Sequence, residues 1–253
     1  MRSLWTLLVV GVTTAVLGPT VIVAALFRVR DKPHGLYQWC MHTWARLAIR
    51  AAGVKVVVHN AERATADHGV VFIGNHVSWF DVFALAATLP RYSFVAKSEL
   101  RKIPVFGPAA GAAGIVYLER DNRKQAFESY KDAAAQVRDG KSIVVFPEGT
   151  RGRGYPLRPF KKGPFVLAIA AGAPIVPTII YGARAIMPRG SFHIRPGIVH
   201  VHLLEPIPTA GMTYDQRGEL MTRVWRRMAD ALHDLYGVPV ADRPIARRDE
   251  RVT

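Results

Sequence analysis

From Ser3 to Phe27 the chain carries no charged residue. At about 1.5 Å per residue, a helix of that length matches the roughly 30 Å hydrocarbon core of a bilayer, so the run predicts a membrane-associated helix. Gly18 and Pro19 lie inside it and can split it into two short helices that dip into one leaflet, so crossing and dipping both stay open. Arg28, Arg30 and Lys32 follow without a small-residue cleavage site, which favours a retained anchor over a signal peptide. They outweigh Arg2 on the other flank, and the positive-inside bias then puts the remaining chain on the cytoplasmic side. Between Leu36 and Ala51, helical spacing aligns Tyr37, Cys40 or Met41, Trp44 and Leu47 or Ala48. Such a stripe suits a helix lying in the membrane interface as well as one facing a core.

After Val54 the pattern changes to short β-branched runs separated by amphipathic stretches. Strands are predicted near 54–58, 70–74, 92–96, 114–118, 142–146, 174–181 and 198–204, and helices near 79–88, 122–139, 162–171 and 213–236. In the second helix Phe127, Tyr130, Ala134 and Val137 form an inward stripe. The alternation predicts an α/β fold, a mixed central sheet flanked by helices, with the N-terminal hydrophobic membrane-associated helical segment appended. Beyond Gly237 the chain is proline-bearing and basic, with Arg243, Arg247, Arg248 and Arg251, and too polar to fold alone. The expected organisation is therefore an anchor and interfacial helix over 1–52, an α/β domain over 53–236 and a flexible basic tail over 237–253.

Composition narrows the partners. Half of the 253 residues are apolar, enough for one sizeable core. Lys and Arg outnumber Asp and Glu by 34 to 19, and a net charge of +15 calls for an anionic partner: a phospholipid surface, nucleic acid or a phosphorylated substrate. Cys40 is the single cysteine, which excludes an intramolecular disulfide and a cysteine-built zinc cluster and fits a reducing compartment.

Two segments carry candidate chemistry. The apolar run 70–73 opens into Gly74-Asn75-His76-Val77-Ser78-Trp79-Phe80-Asp81, where a strand leaves its sheet. On one continuous helix, His76 and Asp81 would diverge by about 140°, but a strand-to-helix turn capped by Ser78 lets them converge. The same letters also fit a capping box in which Asp81 serves a backbone amide and His76 is structural. Downstream, Phe146-Pro147-Glu148-Gly149-Thr150-Arg151 forms a turn after the 142–145 run, and Arg153, Arg158, Lys161 and Lys162 follow. Its glycine permits close backbone approach and its arginine offers a bidentate fork, a combination suited to phosphate. His200 and His202 alternate on a strand with His193 nearby, but no His-Glu-x-x-His pattern accompanies them, and no metal is expected. Neither Gly107-Pro108-Ala109-Ala110-Gly111 nor Gly152-Arg153-Gly154 makes a nucleotide loop.

Over residues 54–205 the sequence resembles the PlsC-like glycerolipid acyltransferases, in particular the 1-acylglycerol-3-phosphate acyltransferases. Four motifs in order carry the resemblance: Asn75-His76 with Asp81, the HX4D motif; Gly114 to Arg120, with Glu119 where the family commonly has Asp; Phe146 to Arg151; and Ala173-Pro174-Ile175-Val176-Pro177. Lys97-Ser98-Glu99-Leu100 resembles the family's lysine-bearing turn. The resemblance implies His76 as general base, with Asp81 orienting it and Asn75 and Ser78 in support. Arg120, Arg151 and Lys97, with Glu148, Gly149 and Thr150, would form the pocket for the acceptor's phosphate. It implies no cofactor, acyl-CoA or acyl carrier protein as donor, lysophosphatidic acid as acceptor, an anionic phospholipid membrane and not nucleic acid as partner, and the cytoplasmic face of the cell inner membrane as location. Glycerol 3-phosphate, a lyso-ornithine lipid or another lysolipid are alternative acceptors. A non-catalytic basic membrane-binding module would explain the charge and the anchor but not the pairing of His76 with Asp81.

Overall fold

The computed structural model describes residues 1–64, 68–119 and 122–240. Its β-branched runs form one seven-stranded sheet: β1 (Val54–His59), β2 (Val71–Gly74), β3 (Tyr92–Lys97), β4 (Val116–Leu118), β5 (Ser142–Val145), β6 (Ile175–Tyr181) and β7 (Gly197–Leu203). They lie in the order β1-β7-β6-β2-β5-β3-β4, and only the β6–β7 pair is antiparallel. The helices are α1 (Arg2–Leu26), α2 (Leu36–Ala52), α3 (Trp79–Thr88), α4 (Phe106–Ala112), α5 (Arg123–Arg138), α6 (Gly163–Ala171), the short α7 (Ala183–Ile186) and α8 (Arg217–Tyr236).

Every residue of the central strands β2 and β5 is buried, as expected of parallel strands covered on both faces. The period-two alternation divides β2 between two cores: Phe72 packs with residues of α2 and α3, whereas Val71 and Ile73 pack with residues of α5, α6 and α8. His76 and Phe146, Pro147 and Glu148 follow the carboxyl ends of adjacent parallel strands, so the sheet itself brings the two candidate segments together.

Two boundaries differ from expectation for local reasons. β4 starts at Val116 because the amides of Gly114, at φ 99°, and Ile115 bond back to Gly111 and Ala110, closing α4. The sequence pattern missed α4 because its seven residues include Gly107, Pro108 and Gly111; the proline sits in the first turn, where a missing amide hydrogen costs no helical bond. Before α8, residues Tyr214–Gln216 form a single 3-10 turn, entered by the Thr213 amide donating to Gln216 Oε1 at 2.7 Å.

The apolar run does not break at Gly18 and Pro19; α1 is continuous. Gly18 faces the body, where a Cβ would stand 2.5 Å from Val105 Cγ1, so only glycine lets the helix lie this close. The helix is fastened along its length. Arg2 Nη1 donates to Ala52 O at 3.2 Å, the Ile194 amide donates to Ser3 Oγ at 2.9 Å, and Trp44 Nε1 donates to Thr14 Oγ1 at 2.9 Å. Beyond α1, Asp31 pairs at 2.6 Å with the buried Lys141. One flank of α1 therefore packs on α2 and α4 while the other exposes Leu4, Trp5, Leu8, Val12, Val16 and Leu26. The aromatic stripe of α2 turns mainly inward, with Tyr37 and Cys40 buried and Trp44 packed on Phe83; Trp39 is the aromatic that α2 exposes. The tail expected over 237–253 lies outside the described residues from 241 onward.

Candidate active site

The first half of the site is the turn between β2 and α3. Asn75 is buried, and its side chain donates to Ile180 O at 2.9 Å and accepts from the Ile180 amide at 2.8 Å. This amide clamp fixes the end of β2 against β6 and thereby sets where His76 emerges. Ser78 caps α3 with extended backbone, accepting from the Phe80 amide at 3.2 Å and donating to Met187 O at 2.7 Å.

Asp81, fully buried in the first turn of α3, serves both readings left open by the sequence. Its Oδ2 accepts from the amides of Val77 at 2.6 Å and Ser78 at 2.7 Å, and from His76 Nδ1 at 2.9 Å. A carboxylate only accepts, so Nδ1 carries the proton and Nε2 keeps its lone pair. The capping amides and the positive end of the helix dipole hold the anion in place. Phe146 stacks on the imidazole with centroids 4.1 Å apart, which fixes the ring plane.

The second half is the turn after β5. Glu148 is buried, and its Oε1 accepts from the His76 amide at 2.9 Å, while the Gly152 amide donates to His76 O at 2.7 Å. The two turns are thus stitched together through the backbone of the histidine. Burial raises the Glu148 pKa to about 7, with Asp81 adding to the rise and the His76 amide and Arg158 opposing it. Gly149 has φ 76°, a conformation that favours glycine.

Arg151 lays its guanidinium 5.2 Å from the centroid of the Trp79 ring, and among the described residues no carboxylate lies within ion-pair distance of it. Burial, and then Arg189, lower its pKa, and Asp81 opposes them. A guanidinium held over an aromatic face without an acidic partner is a ready site for an anion.

Between the halves lies a cleft of about 230 Å³. His76, Lys97, Gly149, Thr150 and Arg151 line it together with the apolar Trp79, Val82, Phe94, Phe106 and Ile115. The structure therefore brings together five of the site residues expected from sequence. Asp81, Asn75 and Ser78 stand behind them as orienting and supporting groups. Glu148 departs from its expected place in the phosphate set: it points to the His76 backbone and does not line the cleft, and an anionic carboxylate would repel phosphate. Arg120 lies outside the described residues.

The sequence reading missed an apolar recess that continues the cleft. Trp79, Val82, Phe94, Phe106 and Ile115 also wall a second space of about 110 Å³, which extends between α1, α2 and α4 to Leu17, Val21, Cys40, Met41, Ala110 and Ala113. One signal was available: Trp79, Val82 and Ala86 recur at helical spacing along α3. The α4 wall had none, since the helix itself was not foreseen.

The profile of the family described as Acyltransferase matches residues 55–181. A chloroplastic 1-acyl-sn-glycerol-3-phosphate acyltransferase of Brassica napus is 33% identical over 214 residues, covering 82% of this chain and 61% of that protein. The chain thus spans less than two thirds of that relative. The 1-acyl-sn-glycerol-3-phosphate acyltransferase of Saccharomyces cerevisiae is 32% identical over 223 residues, 85% of this chain and 72% of that protein. The crystal structure of the 1-acyl-sn-glycerophosphate (LPA) acyltransferase PlsC from Thermotoga maritima matches with a TM-score of 0.72 over 95% of this chain and 100% of that one; at 24% identity this likeness speaks to the fold.

Proposed function

Because the chain belongs to the acyltransferase family, we propose that it moves a fatty acyl group from acyl-CoA or an acyl carrier protein onto the sn-2 hydroxyl of lysophosphatidic acid, giving phosphatidic acid. The observation that carries this reading is the cleft itself. It combines an oriented imidazole and two cationic side chains in one lining, and part of its apolar wall is shared with a recess. A lysophospholipid carries groups to match each: a hydroxyl, a phosphate and an acyl chain.

In this mechanism His76 Nε2 takes the proton of the acceptor hydroxyl as its oxygen attacks the thioester carbonyl. Asp81 stabilises the imidazolium that forms, as the acid does in other His–Asp pairs. The tetrahedral intermediate then collapses, the C–S bond breaks, and the thiolate takes the proton from His76. The new ester and a free thiol leave, and the imidazole is neutral again. Transfer is direct, with no acyl-enzyme: Ser78 is committed to capping α3, and Cys40 is buried in the recess. Arg151 and Lys97, with Arg120 of the Gly114 to Arg120 motif, hold the acceptor's phosphate, and the backbone of Gly149 and Thr150 shapes that pocket.

The exposed apolar flank of α1 supports membrane association. Since one flank of α1 packs on α2 and α4, the helix lies in one leaflet with its other flank in lipid, and the basic protein meets anionic headgroups on the cytoplasmic face of the inner membrane. The test is transfer from each donor to lysophosphatidic acid in lipid vesicles or detergent. His76→Ala should lower the rate at least about 10³-fold while the protein stays folded and vesicle-bound. Transfer at the wild-type rate by that variant would end the mechanism. Loss of preference for lysophosphatidic acid over glycerol 3-phosphate and lyso-ornithine lipid would reassign the acceptor.

A further inference from the structure

Two strands away from the cleft, on the sheet face that α8 covers, three imidazoles meet. β1 and β7 run parallel, and their register sets His59 opposite His202. His200, two residues earlier on β7, shares the face of His202, since Val199, Val201 and Leu203 occupy the other. His59 Nε2 lies 3.1 Å from His200 Nδ1, and the His59 ring stacks on His202 at 4.0 Å. A ligating nitrogen from each ring lies within 4.8 Å of the other two, which makes this the one group of three such side chains among the described residues. Tyr236 Oη, at the end of α8, stands 2.6 Å from His202 Nε2.

This cluster differs from the His76 site in one decisive respect. None of the three rings has a carboxylate within ion-pair distance among the described residues, whereas His76 is bound to Asp81. An imidazole with an acid behind it is set up to take a proton. Three imidazoles facing one another without an acid form a nitrogen donor set.

We infer that His59, His200 and His202 form a binding site for a late first-row transition ion of the Zn²⁺ class, which staples the edge strand β1 to β7. Borderline ions of this kind favour imidazole, whereas Mg²⁺ and Ca²⁺ require oxygen ligands. Tyr236 Oη or a solvent molecule completes the four-coordinate set. Coordination needs one rearrangement. The His59 and His202 planes are only 3° apart, so their lone pairs run parallel and do not converge. His59 is half-buried on the edge strand and can turn its ring. Its hydrogen bond to His200 is no obstacle, since a neutral imidazole can carry its proton on either nitrogen and so free the other.

The site is separate from the reaction, and its test does not depend on turnover. The metal-free full-length protein is titrated with Zn²⁺ against a chelating dye, and the loaded form is studied by zinc K-edge absorption. The expected result is one tightly held equivalent per chain, imidazole nitrogens at about 2.0–2.1 Å, and a raised thermal midpoint. His59→Gln and His200→Gln, both at half-buried positions, should each weaken binding at least about tenfold with unchanged circular dichroism. His193→Gln and His76→Gln should keep the full equivalent. Failure of the wild type to take up an equivalent, undiminished uptake by both His59→Gln and His200→Gln, or loss of uptake in His76→Gln would each overturn the inference.

Discussion

The two ends of the cleft are built on opposite principles. One part holds Lys97, at the end of β3, and Arg151, and among the described residues neither has a carboxylate within ion-pair distance. In the other, the walls are aromatic and aliphatic, shared with a recess that reaches α1, whose outer flank is apolar and exposed. His76 lines the same cleft. On the proposed function, an amphiphile with a charged head and an oily tail would match both parts at once and bring its hydroxyl to the imidazole at their junction. Positioning of this kind contributes to catalysis independently of the acid–base step.

The largest expected effect on this comparison comes from the junction. Asp81→Asn keeps an acceptor oxygen for the amides of Val77 and Ser78, so α3 should remain capped and the melting temperature nearly unchanged. It removes the negative charge that stabilises the imidazolium, and kcat should fall about 10²-fold or more. A fully active Asp81→Asn enzyme would leave the carboxylate with a structural role alone. Arg151→Ala probes the cationic end. It should raise KM for lysophosphatidic acid roughly 10- to 100-fold, the equivalent of a charged hydrogen bond's about 1.5–3 kcal/mol, and should matter little for an acceptor without phosphate. Equal losses on both acceptors would remove Arg151 from the phosphate site. Ala110→Leu probes the apolar end, since Ala110 lines the recess. Acylation of acceptors with long tails should fall by roughly fourfold per displaced methylene, and that of acceptors with shorter tails should persist. A uniform loss across chain lengths would place the tail elsewhere.

The two ends were also unequally legible in the sequence. Strand positions, and α3 to its terminal residues, followed from hydrophobic period, because both faces of the sheet are covered and the chain has to alternate accordingly. His76, Asp81 and the Gly149–Arg151 turn stood out as polar residues at the ends of apolar runs, but the letters fitted a capping box equally well, and it was the four motifs in order that favoured chemistry. The recess was not visible. Its walls are ordinary apolar residues from α1 to α4, and what joins them is the approach of α1 allowed by Gly18, a packing fact without a local signature. The orientation of Glu148 was hidden for a related reason. A motif shows that a carboxylate is present, whereas its direction depends on which backbone amide lies nearest in three dimensions. The convergence of His59 with His200 and His202 required the pairing of strands far apart in the chain.

Glu148 lies behind the cleft, and its replacement gives the prediction with the sharpest sign. Its pKa rises from an ordinary value of 4.5 to about 7 on folding, with burial as the main cause. As pH climbs between those values, the unfolded chain releases this proton while the native protein retains it. The unfolded state then binds fewer protons, so this group's contribution to stability falls with rising pH and levels off above about 7. Glu148→Gln keeps an oxygen to accept the His76 amide and cannot ionise. The stability of the variant relative to wild type should therefore increase from about pH 4.5 to about pH 7 and then hold constant. Groups that do not interact with Glu148 cancel in this difference. A flat difference across the range would mean that Glu148 ionises in the folded protein as it does in the unfolded chain, and that the His76 amide and Arg158 together offset its desolvation.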